Sequence, residues 1–289
     1  MPLRDESKYN ISVKGEPKEV TEIRKKILDS FSDIEFIEDG HKYFRNGEEY
    51  QSVSSIASRF EEEFDSDAKA ASYAQKNGNT AEYWKKQWRF KNLCATTTGT
   101  QCHAFAESMA WIHMGHPENI TDDKKYSYIS DENWLIPTRE KEYAVLDFWN
   151  NKFPVNMYVV LPETRVYSSP NPALPKFKEN YAGTFDLLTY YKHPTDDSKS
   201  GCMILDWKTN GDIYKEYSQT HMKMMKYPFN DLFDEPYGAY TVQLNCYQIP
   251  LEDIGIKCIG KRIIWLKDDK TCEIIKVGDY TDRLRKYFL

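Results

Sequence analysis

Residues 179–211 read ENYAGTFDLLTYYKHPTDDSKSGCMILDWKTNG, two apolar strand-like runs joined by a polar turn. This segment constrains the fold more than any other, because it puts Asp186 in one run and Asp206 and Lys208 in the next. A charge inside an apolar strand is costly unless it is paired or bound to a metal. Side chains alternate along a strand, so Asp206 and Lys208 point one way and Trp207 the other. If the two strands pair antiparallel, Asp186 lies near Asp206. Facing carboxylates repel, but a divalent cation between them turns them into ligands. A lysine beside metal-bound water positions the nucleophile and stabilises developing negative charge.

An acidic-x-Lys triplet alone carries no weight, since DAK (67–69), DSK (197–199) and DDK (268–270) occur in the same chain. DWK at 206–208 differs by its place in the apolar run MILDWKT. The plainer alternative is a strand end whose Asp206 and Lys208 reach water and pair there. Two helical segments bear on that choice. His103 and Glu107 are four apart, hence on one helix face, just after the small-residue run TGT. A neutral imidazole completes a carboxylate metal site. Gln243 and Tyr247 have the same spacing on a later helix. A structural His, a core Tyr and a rim Gln are the corresponding plain readings.

The chain has 289 residues, enough for one large domain or two small ones. With 40% hydrophobic and 29% charged residues it reads as soluble and globular rather than disordered. A net charge of -6 argues against a nonspecific nucleic-acid coat but leaves room for a local basic groove. The six cysteines include no CxxC pair, so a zinc ribbon or iron–sulfur cluster is not expected. The polar start MPLRDESKYN has no apolar signal core, and no apolar run reaches the ~18 residues of a membrane span. These features predict reduced, mostly buried cysteines, a cytoplasmic or host-cell cytoplasmic location and no membrane partner.

Apolar spacing predicts an amphipathic helix over 16–31, short strands over 34–53 with an Asn46-Gly47 hairpin turn, and a helix over SVSSIASRF. Residues 65–95 read as helical with a break near Gly78. There Lys85, Lys86, Arg89 and Lys91 interleave with Trp84, Trp88 and Phe90. This is either a solvated helix with its rings in the core, or a groove lining for a phosphate backbone with rings for base stacking. A separate helix is expected over 96–115, capped by Thr98 or Thr100 and ended by Gly115, and another over 139–153. Strand-like runs follow at MYVVLP, TRVYSS, YAGTFDLLTYY and CMILDWKT, then a helix over 238–255, two late strands and a closing helix. The expected fold is α/β (α+β): a central mixed β-sheet flanked by helices.

In order, the chain carries GTQCH (99–103), GTFD (183–186), DWK (206–208) and QLNCY (243–247). This series resembles the RecB-like exonuclease branch of the PD-(D/E)xK nucleases, over about residues 96–250. The lead-in HKYFRNGEEYQSVSSIASRF resembles that of phage and mitochondrial members. The resemblance implies a restriction-endonuclease-like core over 96–289, with residues 1–95 as a helical and hairpin region packed on it as one wall of a DNA channel. It implies that His103, Asp186, Asp206 and the backbone carbonyl of Trp207 hold one or two Mg²⁺ or Mn²⁺ ions, with Lys208 on the attacking water. Gln243, Tyr247 and Thr209 would contact the nucleic-acid backbone, and Glu107 and Glu163 would stand behind these groups. The implied activity is a metal-dependent deoxyribonuclease, exonucleolytic on single strands or free DNA ends, in DNA processing, repair or recombination. Some relatives bind an iron–sulfur cluster through four cysteines, whose spacing is missing here. No nucleotide-binding motif of a helicase occurs, so a motor or recombination partner would be a separate chain. The rival classes are a nuclease-like fold that binds nucleic acid or protein without cutting, and an interaction protein whose DWK is an accident of surface charge.

Overall fold

Val20, Ile23 and Ile27 recur at helical spacing, and Lys18–Ser30 is helix α1 in this computed structural model, which describes residues 15–120 and 137–289. The next segments form a meander, β1 (Ile34–Ile37), β2 (Lys42–Arg45) and β3 (Glu48–Ser52). Asn46 and Gly47 make the predicted turn, both with positive φ (51° and 79°), as a twisted two-residue hairpin requires. Helix α2 (Val53–Ser58) starts directly after β3, where Ser52 Oγ accepts the Ser55 N–H at 3.1 Å.

Eight strands of the described residues form one mixed sheet. MYVVLP and TRVYSS belong to a single strand, β4 (Met157–Tyr167), which pairs antiparallel with β5 (Tyr181–Tyr191). Their register shifts between Val159 and Leu161. The carbonyls of Val159 and Val160 at this bulge accept hydrogen bonds from the buried Arg24 guanidinium (3.2 and 2.8 Å). Arg24 is in turn paired with Glu16 at 2.8 Å, so α1 is pinned on β4. Along the sheet the order is β1-β2-β3-β5-β6-β7-β8, with β4 beside β5. Strand β6 (Gly201–Lys208) runs antiparallel to β5 and parallel to β7 (Cys258–Leu266), which pairs with β8 (Cys272–Lys276).

One edge of β5 is shared by two neighbours. β3 pairs with its start, at Tyr181 and Ala182, and β6 with its end, from Leu187 to Tyr191. Between them Gly183–Asp186 has no strand on that edge, so β5 and β6 part just where Asp186 and Asp206 face each other.

Helix α7 (Pro236–Asp253) packs on β4 to β7, on α2 and on the closing helix α8 (Thr281–Phe288). Short helices α5 (Glu140–Asp147) and α6 (Glu216–Thr220) lie before β4 and before α7. The N-terminal region differs from expectation in one element. After α3 (Ser66–Asn77) and the break at Gly78, residues Ala81–His113 form one continuous helix, α4, capped by Thr80 rather than by Thr98 or Thr100. Its far end matches expectation, with Gly115 at φ 78°. Residue 95, the expected edge of the core, lies inside this helix.

Trp84 and Trp88 on α4 pack edge-on against Tyr73 of α3, each with ring centres 5.5 Å away, and Phe64 meets Trp88 at 5.9 Å. Lys85 pairs with Asp67, and Arg89 with Glu82. These rings therefore pack on one another across the α3–α4 hairpin, with Trp84 and Trp88 half-buried and Phe64 and Tyr73 still exposed. Lys86, Phe90 and Lys91 are not enclosed by it, and from Arg89 to Thr97 the helix is exposed nearly all round. The cysteines are free, with Cys102, Cys202, Cys246 and Cys272 buried. No helix of the described residues is long and apolar enough to cross a membrane.

Candidate metal centre

The gap between β5 and β6 leaves the Trp207 N–H without a backbone partner on β5. The Asp186 carboxylate takes it, with Oδ2 accepting at 2.7 Å. Asp186 is therefore held by the strand that carries Asp206. The last ladder pair is Leu187 with Leu205, which places Asp186 and Asp206 opposite each other one step on. Both are buried. On the other side of β5 the pairs Pro162–Leu187 and Thr164–Phe185 bracket Glu163, which puts it opposite Asp186 on β4. From α4, His103 Nδ1 comes to 3.3 Å from Asp186 Oδ1. One donor atom each of His103, Glu163 and Asp186 lie within 4.8 Å of one another. This is close to the about 4.2 Å between opposite ligands on a Mg²⁺ ion.

The structure thus brings together His103 and Asp186, two of the expected ligands, with Glu163, which was expected to stand behind them, while Asp206 falls outside this group. Asp206 stands beside this group, engaged with Lys208. The Lys208 ammonium approaches Asp206 Oδ2 at 2.6 Å, but off the direction of a hydrogen bond. That buried oxygen has a countercharge and no aligned donor among the described residues. Lys208 also lies over the Tyr240 ring at 4.4 Å, and Tyr240 is fixed by its hydroxyl donating to Asn210 Oδ1 at 2.6 Å. The Asn210 carbonyl accepts from the Trp265 indole at 2.7 Å. Tyr240 and Asn210 went unread in the sequence. Tyr240 carries a weak signal, as it sits one turn before Gln243 on the same helix face.

Burial pushes the Asp206 carboxyl up to about 7; Lys208 opposes this rise and Asp186 adds to it. Burial would also raise Asp186, but the His103 and Lys208 charges and the Trp207 N–H hold it below its ordinary value. Burial would lower His103, yet the Asp186 carboxylate outweighs it and raises the imidazole to about 9. Lys208 is likewise held above its ordinary value: burial opposes this, and Asp206 and Asp186 prevail. Three carboxylates, an imidazole and an ammonium thus meet here, and His103, Glu163 and Asp186 are close enough together to hold one metal ion. The oxygen-rich set with one imidazole suits Mg²⁺ or Mn²⁺.

The remaining expected residues fall around this centre. The Trp207 ring is buried edge-on against Phe148, at 5.0 Å between ring centres. Gln243 Nε2 donates to the Tyr247 hydroxyl at 3.0 Å. Tyr247 is 3% exposed, so Gln243 is the member of this pair that meets solvent. Thr209 faces α4, its Oγ1 3.4 Å from where a Cβ on Gly99 would stand. Glu107 is half-buried one turn beyond His103, outside the His103–Glu163–Asp186 group. No family model matches this chain, and no curated protein matches its sequence.

Proposed function

We propose that this chain is a divalent-metal-dependent deoxyribonuclease, acting as an exonuclease on single strands or free DNA ends. The observation that carries the reading is the meeting of His103, Glu163 and Asp186 from three separate elements, beside Asp206 and Lys208. A purely structural ion pair needs one acid and one base. Three acids with an imidazole and an ammonium, drawn together where two strands part, are costly without a multivalent ion.

His103, Glu163, Asp186 and Asp206 would hold the ion, Mg²⁺ or Mn²⁺. When bound, it supplies water of lowered pKa and neutralises phosphate oxygens. Lys208 stays protonated at neutral pH, so its role is to donate hydrogen bonds to the attacking water or to a phosphoryl oxygen, rather than to take a proton. The Tyr240 ring and Asp206 fix its position. Asp186 is oriented by the Trp207 N–H, so its geometry is set before any ligand arrives. Gln243 offers its amide to the phosphate backbone.

Preference for a free strand is supported by α4. The helix runs outward from His103 to Lys86, 17 residues or about 25 Å, past exposed Lys91 and Phe90. With a net charge of -6, affinity should depend on these few cations and fall steeply with salt.

The test is cleavage of labelled single- and double-stranded DNA in Mg²⁺, Mn²⁺ or chelator, with Asp206→Ala and Lys208→Ala as controls. The reading requires metal-dependent cutting that both substitutions abolish. Cutting that survives both overturns the assigned site. Binding without cutting assigns the chain to a non-cleaving module.

A further inference from the structure

We propose that a second site, at the far end of the sheet from the metal centre, docks a short acidic segment with an apolar anchor, presented by a partner protein. The pocket there is a wide-open depression with a volume of about 580 Å³. Its walls include Met157, Met203 and Ile259, from the first residues of β4, β6 and β7, and its rim carries Lys199, Lys257 and Arg262. Met203 is three residues before Asp206, and Tyr191, another wall residue, is five after Asp186. The two sites are therefore about 10–17 Å apart along the strands.

The charge around the cavity is unbalanced. Among the described residues, only Lys199 of the three cations has a carboxylate partner, Asp196 at 3.2 Å. Lys257 spends its ammonium on the Ser198 carbonyl. The half-buried Arg262 donates from Nη1 to the Lys261 carbonyl at 2.8 Å, and burial lowers its pKa with no acid to offset it. Gly260 leaves room for the guanidinium: a Cβ there would stand 3.0 Å from Arg262 Nη1, which would have to shift slightly. A guanidinium partly removed from water without an anion is an incomplete pair, and a carboxylate completes it with two parallel hydrogen bonds.

The walls select among anions. Two methionines beside an isoleucine adapt to an inserted aliphatic or aromatic side chain. They offer no aromatic platform row for successive bases, and the cations converge on one cavity rather than tracking a backbone. An acidic peptide with one or two large apolar residues satisfies both features. Such a contact would bring the enzyme to a partner while leaving the metal centre open.

The experiment measures fluorescence anisotropy of labelled Asp-Glu-Asp-Leu-Leu-Phe with the full chain. Comparators are labelled Asp-Glu-Asp-Ser-Ser-Ser and a dT12 oligonucleotide. The expected result is sub-millimolar binding of the first peptide, at least about tenfold weaker binding of the second, and at least about a tenfold loss in both Lys257→Glu and Arg262→Gln. Lys257 is exposed, so its substitution tests the site without burdening the fold. Asp206→Ala should bind the peptide like the wild type, which separates this site from the nuclease reading. The proposal is overturned by no binding at millimolar peptide, by equal binding of the two peptides, or by unchanged affinity in both rim variants. It is equally overturned if dT12 binding, not peptide binding, is what the rim variants lose.

Discussion

Asp186 Oδ2 accepts the backbone N–H of Trp207 at 2.7 Å, so one acid of the centre is fastened to the strand that carries the other. This bond stands in for the backbone ladder where β5 and β6 part, and it separates charge from structure at this position. Asp186→Asn keeps an acceptor for the N–H but removes the charge. It loses the ion pair with His103 but keeps this bond, so its unfolding free energy should fall less than that of Asp186→Ala, while metal-dependent cleavage falls at least about 100-fold. Asp186→Ala leaves the buried N–H unpaired and should cost about 1–3 kcal/mol more. Denaturant unfolding and cleavage rates, measured on both variants, check this. Equal stability of the two variants would remove the structural half of the assignment.

Glu163 sits in the left-handed region, at φ 43°, while it reaches His103 and Asp186. A non-glycine residue there costs about 1–3 kcal/mol. Glu163→Gly relieves that strain and deletes a ligand in one step. In the metal-free protein the relieved strain is set against the lost contact with His103, so stability should change by no more than about 1–3 kcal/mol, while Mn²⁺ binding weakens by about tenfold or more. Calorimetric titration with Mn²⁺ and thermal melts in chelator read the two effects separately. Unchanged Mn²⁺ affinity would return Glu163 to a merely structural place.

The difference between Glu163 and its neighbours also marks what the sequence makes legible. Asp186, Asp206 and Lys208 stand out because each interrupts an apolar strand, and a strand's period fixes their faces. His103 stands out through its helical spacing and small-residue approach. Glu163 follows a proline in LPETRV, where a strand end is the natural reading. Only the β4–β5 register puts it opposite Asp186, and that pairing spans residues far apart in the chain. The same limit applies to α4. Its threonine-rich stretch TTTGT has the local chemistry of a helix start, but the helix runs through it. The strands, the Asn46-Gly47 turn and α7 depend on local pattern, and these the sequence does convey.

Proton uptake gives the centre a pH dependence. Asp206, near 7 when folded and near 4 when unfolded, adds stability that is complete below pH 4 and lost as pH rises through 7. His103, near 9 when folded, adds stability complete below about pH 6.5 and lost as pH rises through 9. Asp186 is lowered, so its contribution is present above about pH 4 and lost on acidification. The first two losses follow one another from about pH 4 to 9, Asp206 over about pH 4–7 and His103 over about pH 6.5–9. In chelator, the melting temperature should fall across that range beyond what the double variant Asp206→Asn, His103→Gln shows. Saturating Mg²⁺, which competes with both protons, should flatten the fall, and Mg²⁺ affinity should rise with pH over the same interval. A metal-free melting profile identical to that of the double variant would contradict these protonation states.

Gly183 links two of the sequence motifs through space alone. A Cβ at this position would stand 2.7 Å from Tyr247 Cε1 and 2.9 Å from Val53 Cγ2, so α7 and α2 close over β5 only because the position has no side chain. Gly183→Ala should destabilise the fold by about 1–3 kcal/mol, as overpacking a filled core does. The clash is with a ring carbon and a valine methyl, not with the tyrosine hydroxyl. Val53→Ala should therefore recover part of the loss in the double variant, whereas Tyr247→Phe, which keeps the ring, should recover none. Tyr247→Phe alone removes the hydroxyl that receives the Gln243 amide, and its effect should fall on substrate affinity more than on stability. Denaturant midpoints for these variants and a KM-against-kcat comparison for Tyr247→Phe decide it. If Gly183→Ala is as stable as wild type, α7 does not press on β5 at this point, and the placing of Gln243 beside the metal centre loses its physical cause.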